Sequence, residues 1–177
     1  MTESSGKVLY VIVCGAFAAP GVGRLVTGAQ DLGWVVQVVA TPPALDFIDV
    51  PALEELTGRP VRSRYRKPSE PKPPRADAMV VAPATYNTVN KFARGIADTY
   101  ALGVLAEAPG LGIPVVVLPF VNVALAARLP YREAVAGLRA DGVRVLPPAA
   151  DDDPDPWSRA LSELGAPGRQ DRGDHRV

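Results

Sequence analysis

Asn87 and, after a later apolar run, Asn122 are side chains able to hold a polar ligand, because a carboxamide donates and accepts hydrogen bonds at once. Thr85, Tyr86 and Thr88 surround the first with hydroxyls. This polar group follows Met79 to Ala82, an apolar run of the kind buried on both faces of a parallel sheet, which Pro83 ends. Ala84 to Thr88 therefore stands at the carboxyl end of a strand, where open α/β sheets bind ligands, and runs into a helix whose free N–H groups favour an anion. Thr85 or Asn87 acting only as a helix cap would account for the same residues, and Asn122 has a similar alternative as a turn residue after a strand. A second candidate is the turn Gly15-Ala16-Phe17-Ala18-Ala19, whose backbone N–H groups can take a phosphate. Gly15, Gly21 and Gly23 do not fall at G-x-G-x-x-G spacing and no Walker lysine follows, so a mononucleotide fits better than a dinucleotide. Close strand-helix packing is the other explanation of that turn.

The elements that must position these residues alternate. Tyr10 to Val13 predicts a strand, Val22 through Leu32 a helix ending at Gly33, and Trp34 to Ala40 a second strand. Leu53 to Leu56 makes a short helix closed by Gly58, and Pro60-Val61 begins a minor strand. Ala78 to Ala82 is the third major strand, Val89 to Ala106 is helical in one or two pieces, and Ile113 to Leu118 is the fourth strand. A helix over Tyr131 to Ala140 and a last strand over Val143 to Leu146 complete a doubly wound parallel sheet. The expected organisation is a flexible N-terminus over residues 1–6, one domain over residues 7–148, and an acidic, Pro-rich tail over residues 149–177. The tail carries a short amphipathic piece, Trp157 to Leu164, and is expected to be disordered from Ala166.

Pro83-Ala84-Thr85-Tyr86-Asn87-Thr88, with Lys91, Ala93 and Gly95-Ile96-Ala97-Asp98, resembles the Pro-Ala-Ser/Thr-Ala-Asn-Thr motif of the homo-oligomeric flavin-containing cysteine decarboxylases. That family includes phosphopantothenoylcysteine decarboxylase and the lantibiotic peptidyl-cysteine decarboxylases. The resemblance extends from about Lys7 to Val145. Lys7 to Ala19 is similar to the family's first strand and turn, and Val38 to Ile48 to its second strand. It implies a flavodoxin-like (Rossmann-like) three-layer α/β sandwich that binds FMN and assembles as a trimer or a dodecamer of trimers, with the pocket between subunits. It also implies that Gly15, Ala16 and Phe17, with Thr41, hold the phosphate and ribityl chain. Pro83, Ala84, Thr85, Asn87 and Thr88 form the flavin side, and Asn122 binds the substrate carboxylate.

The departures from the family pattern are as specific as the matches. The family histidine that acts as base lies seven residues before an Ala-Asp pair; counting back from Ala76-Asp77 reaches Ser69. The one histidine of the chain is His175, in the tail. General-base catalysis contributes about 100-fold to 10,000-fold, so a substitute from Glu70, Asp77 or a neighbouring subunit is required for efficient turnover. Ala16 stands where serine is frequent and Tyr86 where alanine is usual, and Val121, Leu125 and Ala126 replace Met, Met and Trp around Asn122. The family's flap near the C-terminus is not recognisable. Two functions follow: an FMN enzyme that oxidatively decarboxylates a cysteine-derived or peptidyl-cysteine substrate, or a non-catalytic FMN-binding regulatory or complementary subunit. Flavin prenyl transfer is a weaker third, since no basic dimethylallyl-phosphate site is evident.

Bulk properties narrow the partners. The 177 residues are 47% hydrophobic and 21% charged, enough for one domain with a real core. The 19 basic and 19 acidic residues cancel, which argues against nucleic acid or an anionic membrane as partner. Cys14 is the lone cysteine, which excludes an internal disulfide and reads as a buried inert thiol; no metal site is expected. No signal sequence or membrane-length apolar run is present, so a cytoplasmic location is expected. Arg62, Arg64, Arg66, Lys67 and Lys72, interleaved with Tyr65, form a basic loop. It reads as solvated surface, as a recognition element for an acidic substrate or peptide end, or as a contact for Asp151 to Asp155 of another chain.

Overall fold

The computed structural model describes residues 6–150 and 152–168. Residues 1–5, 151 and 169–177 lie outside the described residues, and with them most of the N-terminus and tail expected to be flexible, and His175. Val8–Val13 forms β1, six apolar residues that are all buried. Continuous burial of a strand requires cover on both faces. Val8, Tyr10 and Ile12 pack into one layer with Met79, Val81, Phe92, Leu105 and Leu138. Leu9, Val11 and Val13 pack into the other with Val80, Leu25, Val26, Leu53 and Trp157. The alternation of side chains along β1 thus builds the two outer layers of the sandwich.

The sheet is completed by β2 (Val35–Ala40), β3 (Ala78–Ala84), β4 (Val115–Pro119) and β5 (Arg144–Val145), all parallel, in the order β2-β1-β3-β4-β5. From β1 the chain moves outward to β2 and then returns to the opposite side of β1 for β3. The order reverses there, so the carboxyl ends of β1 and β3 flank the crevice in which such sheets hold ligands. This is the flavodoxin-like arrangement.

Among the described residues six α-helices connect the strands, α1 (Val22–Asp31), α2 (Val50–Thr57), α3 (Tyr86–Ala93), α4 (Tyr100–Glu107), α5 (Val123–Ala126) and α6 (Leu129–Ala140), and α7 (Pro156–Leu164) follows β5. The stretch expected to be helical from Val89 divides in two. Gly95 takes φ 70°, which releases the chain from α3, and the Thr99 hydroxyl caps α4 by accepting from the Leu102 N–H at 3.1 Å. The first helix also begins earlier, at Tyr86, because Thr85 is its cap. The minor strand expected at Pro60-Val61 reduces to one bridge between Val39 and Arg62. No helix among the described residues is long and apolar enough to cross a membrane.

The region after residue 148 joins the body of the protein. Trp157 and Ala160 of α7 are buried in the second layer. A Cβ on Gly28 of α1 would stand 2.5 Å from Leu161 Cδ1, so glycine permits the close approach of these two helices.

Candidate functional site

A cleft of about 830 Å³ opens at the carboxyl ends of β1, β3 and β4. Gly15, Ala16, Phe17 and Ala18 line it after β1, Thr85, Tyr86 and Asn87 after β3, and Phe120, Val121, Asn122 and Leu125 after β4; Trp157 and the segment before it close the remaining side. At Gly15 a Cβ would fall 2.9 Å from Pro43 Cβ and 3.1 Å from the Pro43 carbonyl carbon. Only glycine lets the loop after β2 approach the turn so closely. Within the turn the Ala16 N–H bonds to the Cys14 carbonyl at 2.9 Å and the Ala19 N–H to the Ala16 carbonyl at 2.9 Å. The N–H groups of Phe17 and Ala18 find no acceptor among the described residues, and they remain as donors at the cleft. Phe17 is 97% exposed, its ring meeting the edge of Phe47.

The floor is fixed from β3. Pro83, which follows a cis peptide, and Ala84 are buried. Their carbonyls accept from the Cys14 N–H at 3.1 Å and the Phe120 N–H at 2.9 Å, tying the ends of β1 and β4 to that of β3. Thr85 caps α3 through its hydroxyl, 3.2 Å from the Thr88 N–H. Thr88 turns inward: its hydroxyl accepts from Thr85 Oγ1 at 3.1 Å and from Cys14 Sγ at 3.3 Å. Burial pushes the Cys14 thiol pKa up, with the Thr88 hydrogen bond pulling the other way. A thiol held in this way is protonated and inert.

Asn87, in the first turn of α3, is exposed and lines the cleft, with its carboxamide available to a ligand. Asn122 is both cap and site residue. Its Oδ1 accepts from the Leu125 N–H at 2.9 Å, which commits the carbonyl end to α5 and leaves the NH₂ group as donor.

Five expected site residues do not line the cleft: Pro83 and Ala84, which are buried at the end of β3, and Thr41, Thr88 and Ser69. Thr41 is buried, its N–H bonded to the Val13 carbonyl at 2.9 Å and its own carbonyl accepting from Ala44 at 2.9 Å; it holds the loop after β2 against the end of β1 and does not line the cleft. Thr88 is likewise buried behind the wall. Ser69 is exposed, on a turn closed by the Glu70 N–H and the Lys67 carbonyl at 2.9 Å, outside the cleft lining. The basic loop that carries it is ordered. Arg64 clasps Glu70 through two bonds of 3.2 and 2.7 Å, and this contact, with the Lys67 N–H, holds the Glu70 carboxyl down to about 2. Tyr65 packs edge-on against Tyr100 of α4 at 5.2 Å.

Several lining residues carry no motif. Arg24 enters the cleft from α1 and is paired with Asp155 at 3.4 Å. Trp157 leans on Phe120 at 5.6 Å, and Tyr86 stacks on Tyr131 of α6 at 5.9 Å with an interplanar angle of 18°. The amphipathic piece beginning at Trp157 was a sequence signal for a buried helix face; nothing in the sequence singles out Arg24. Among the described residues no group of three or more His, Cys, Asp or Glu is placed to hold a metal. The arrangement offers anion donors at the β1 turn, a free carboxamide at the β3 end and a second, oriented donor at Asn122. One ligand spanning a cleft of this size, within the roughly 300–1,000 Å³ of small-molecule sites, would meet all three.

Comparison with known proteins gives concordant results. Residues 1–162 match the family model described as Flavoprotein. The chain is 28% identical over 177 residues to the coenzyme A biosynthesis bifunctional protein CoaBC of Vibrio vulnificus, covering 96% of this chain and 41% of that protein. The chain thus spans about two fifths of the length of that relative. It is 28% identical over 149 residues to a probable phosphopantothenoylcysteine decarboxylase of Streptococcus mutans, covering 80% and 83% of the two chains. The FMN-dependent cysteine decarboxylase SpaF superposes with a TM-score of 0.71 at 25% identity, covering 90% of this chain and 97% of that one.

Proposed function

The chain belongs to the Flavoprotein family, and on that premise we propose that it binds FMN in the cleft and is of the cysteine-decarboxylase type, acting on a cysteine-derived or peptidyl-cysteine carboxylate. One observation carries the reading: the cleft at the sheet's switch point brings free turn amides, the Asn87 carboxamide and the uncommitted NH₂ of Asn122 to a single surface. The residues fit the cofactor. Phe17 and Ala18 supply uncommitted backbone donors in a turn that tolerates no side chain at Gly15, its first position, which suits a phosphate. Asn87 can both donate to and accept from a ring edge.

When bound, FMN supplies the acceptor for the two electrons that oxidation of the substrate thiol releases. The protein's own residues position and enclose. Asn122 donates to the carboxylate that is lost, and its cap on α5 fixes the direction of that donation. Tyr86 and Leu125 narrow the wall beside it, while Phe120 and Trp157 keep water from the opposite side. Ser69 occupies the position that the resemblance gives to the base. It is exposed and outside its own cleft lining, so a group there serves the cleft of a neighbouring copy. The reading includes an assembly, a trimer or a dodecamer of trimers, that brings this turn to a neighbouring cleft, and a cytoplasmic location. The same observation favours a second reading, a complementary FMN-binding subunit whose base comes from a histidine-bearing partner.

Size-exclusion chromatography with light scattering and flavin absorbance tests the reading. The expected result is flavin co-eluting with a trimer or larger species; a monodisperse monomer that holds flavin contradicts the inter-subunit site.

A further inference from the structure

We propose that a second pocket, formed at Arg62 on the far side of β2 from β1, binds the phosphate or carboxylate group of a small anionic ligand. This pocket, of about 260 Å³, is lined by Pro60, Val61, Arg62, Ser63, Arg64 and Glu70 together with Pro71, and shares no residue with the cleft. Arg62 is fixed by its backbone: its N–H bonds to the Val38 carbonyl at 3.1 Å and its carbonyl accepts from the Ala40 N–H at 2.7 Å, as an added rung on the edge strand. Its side chain has no such partner. Nε is buried without an acceptor, and no carboxylate among the described residues lies within ion-pairing distance of the guanidinium.

A buried guanidinium N–H is costly to leave unmade, and the fork geometry of the group matches an oxyanion. The two carboxylates nearby are already committed. Glu54 accepts from the Val61 N–H at 2.9 Å, and Glu70 is held by Arg64 and the Lys67 N–H. The lining therefore keeps one net positive charge, at Arg62, with Ser63 as its remaining polar residue. Pro60, Val61 and Pro71 restrict the space to a compact group. The preformed clasp of Arg64 on Glu70 keeps the rim in place without a ligand, so little ordering opposes binding.

The test titrates the full chain as purified, flavin included, with inorganic phosphate and separately with succinate, following by NMR the backbone amide resonances of Ser63 and Arg64, which line the pocket and are present in every variant. The expected result is a saturable shift with one or both anions, the tighter one assigning the group. Arg62→Gln abolishes it. Arg62→Lys, which keeps the charge and the fold but not the fork, weakens it by about tenfold. Arg132→Gln, at an exposed position of α6 outside the pocket lining, leaves it unchanged. Absence of a saturable shift at tens of millimolar overturns the proposal, as does equal binding by Arg62→Gln, or by Arg62→Lys should the Gln variant not fold. Flavin absorbance is recorded in the same samples. Colourless protein that still binds the anion through Arg62 refutes the cofactor reading alone.

Discussion

Replacing Ser69 with histidine raises the rate of carbon dioxide release from a peptide ending in cysteine, or from phosphopantothenoylcysteine, by about 100-fold to 10,000-fold over the parent. Among the described lining residues the titratable side chains are Arg24, Tyr86 and Asp153, and none is an imidazole. Ser69 lies on an exposed turn whose shape is set by the clasp between Arg64 and Glu70 and by the Lys67 carbonyl, so an imidazole is presented there without disturbing the core. In an oligomer that brings this turn to the next copy's cleft, the substitution restores a base and leaves the flavin site alone. Release by the Ser69→His variant with an inert parent identifies the chain as a scaffold that has lost its proton acceptor, and strengthens the complementary-subunit reading. Parent release at an ordinary enzymatic rate refutes that assignment and moves the proton transfer to a residue of a neighbouring subunit, since Glu70 is held by Arg64 and Asp77 accepts from the Val8 N–H at the amino end of the sheet.

Asn122→Ala, made in whichever background releases carbon dioxide, lowers that release by roughly 10-fold to 100-fold while bound flavin is retained. The figure corresponds to loss of one hydrogen bond to a charged group, about 1.5–3 kcal/mol. Two consequences of the substitution must be separated, because the Asn122 carbonyl also caps α5. Asn122→Asp separates them: it preserves the cap and replaces the donor with a charge that repels a carboxylate. Both variants should fail alike in carbon dioxide release and differ in thermal stability, with the aspartate variant the more stable. Equal activity of the aspartate variant and the parent removes Asn122 from the carboxylate site.

Most of the fold was legible because parallel strands buried on both faces write continuous apolar runs. Tyr10 to Val13 and Ala78 to Ala82 fall inside β1 and β3 for that reason. Element ends were less legible. The polar group after Pro83 reads as a loop, yet Thr85 caps so directly that Tyr86 and Asn87 already form the first turn of α3. Thr88 is polar and adjacent to the site residues but points inward, since position along a helix decides facing and its hydroxyl has partners in Thr85 and Cys14. Thr41 is polar and buried because its backbone ties the loop after β2 to the end of β1, its N–H bonding to the Val13 carbonyl at 2.9 Å. Arg24 reaches the cleft from a distant segment and has no local signature, and the amphipathic pattern at Trp157 signals burial but not the cleft, because both placements depend on the packing of α7 against α1. The unpaired guanidinium at Arg62 was hidden within a basic run that reads as solvated surface.

The central claim is that the cleft between the β1 turn and the start of α3 holds FMN, and the most direct measurement is heat release of the ligand from purified protein with identification by chromatography. The account predicts a yellow protein that yields FMN, and an Asn87→Ala variant that retains it more weakly by about 1–3 kcal/mol, as expected when a buried partner loses its hydrogen bond. A colourless protein that yields no flavin and takes up none when FMN is added contradicts it.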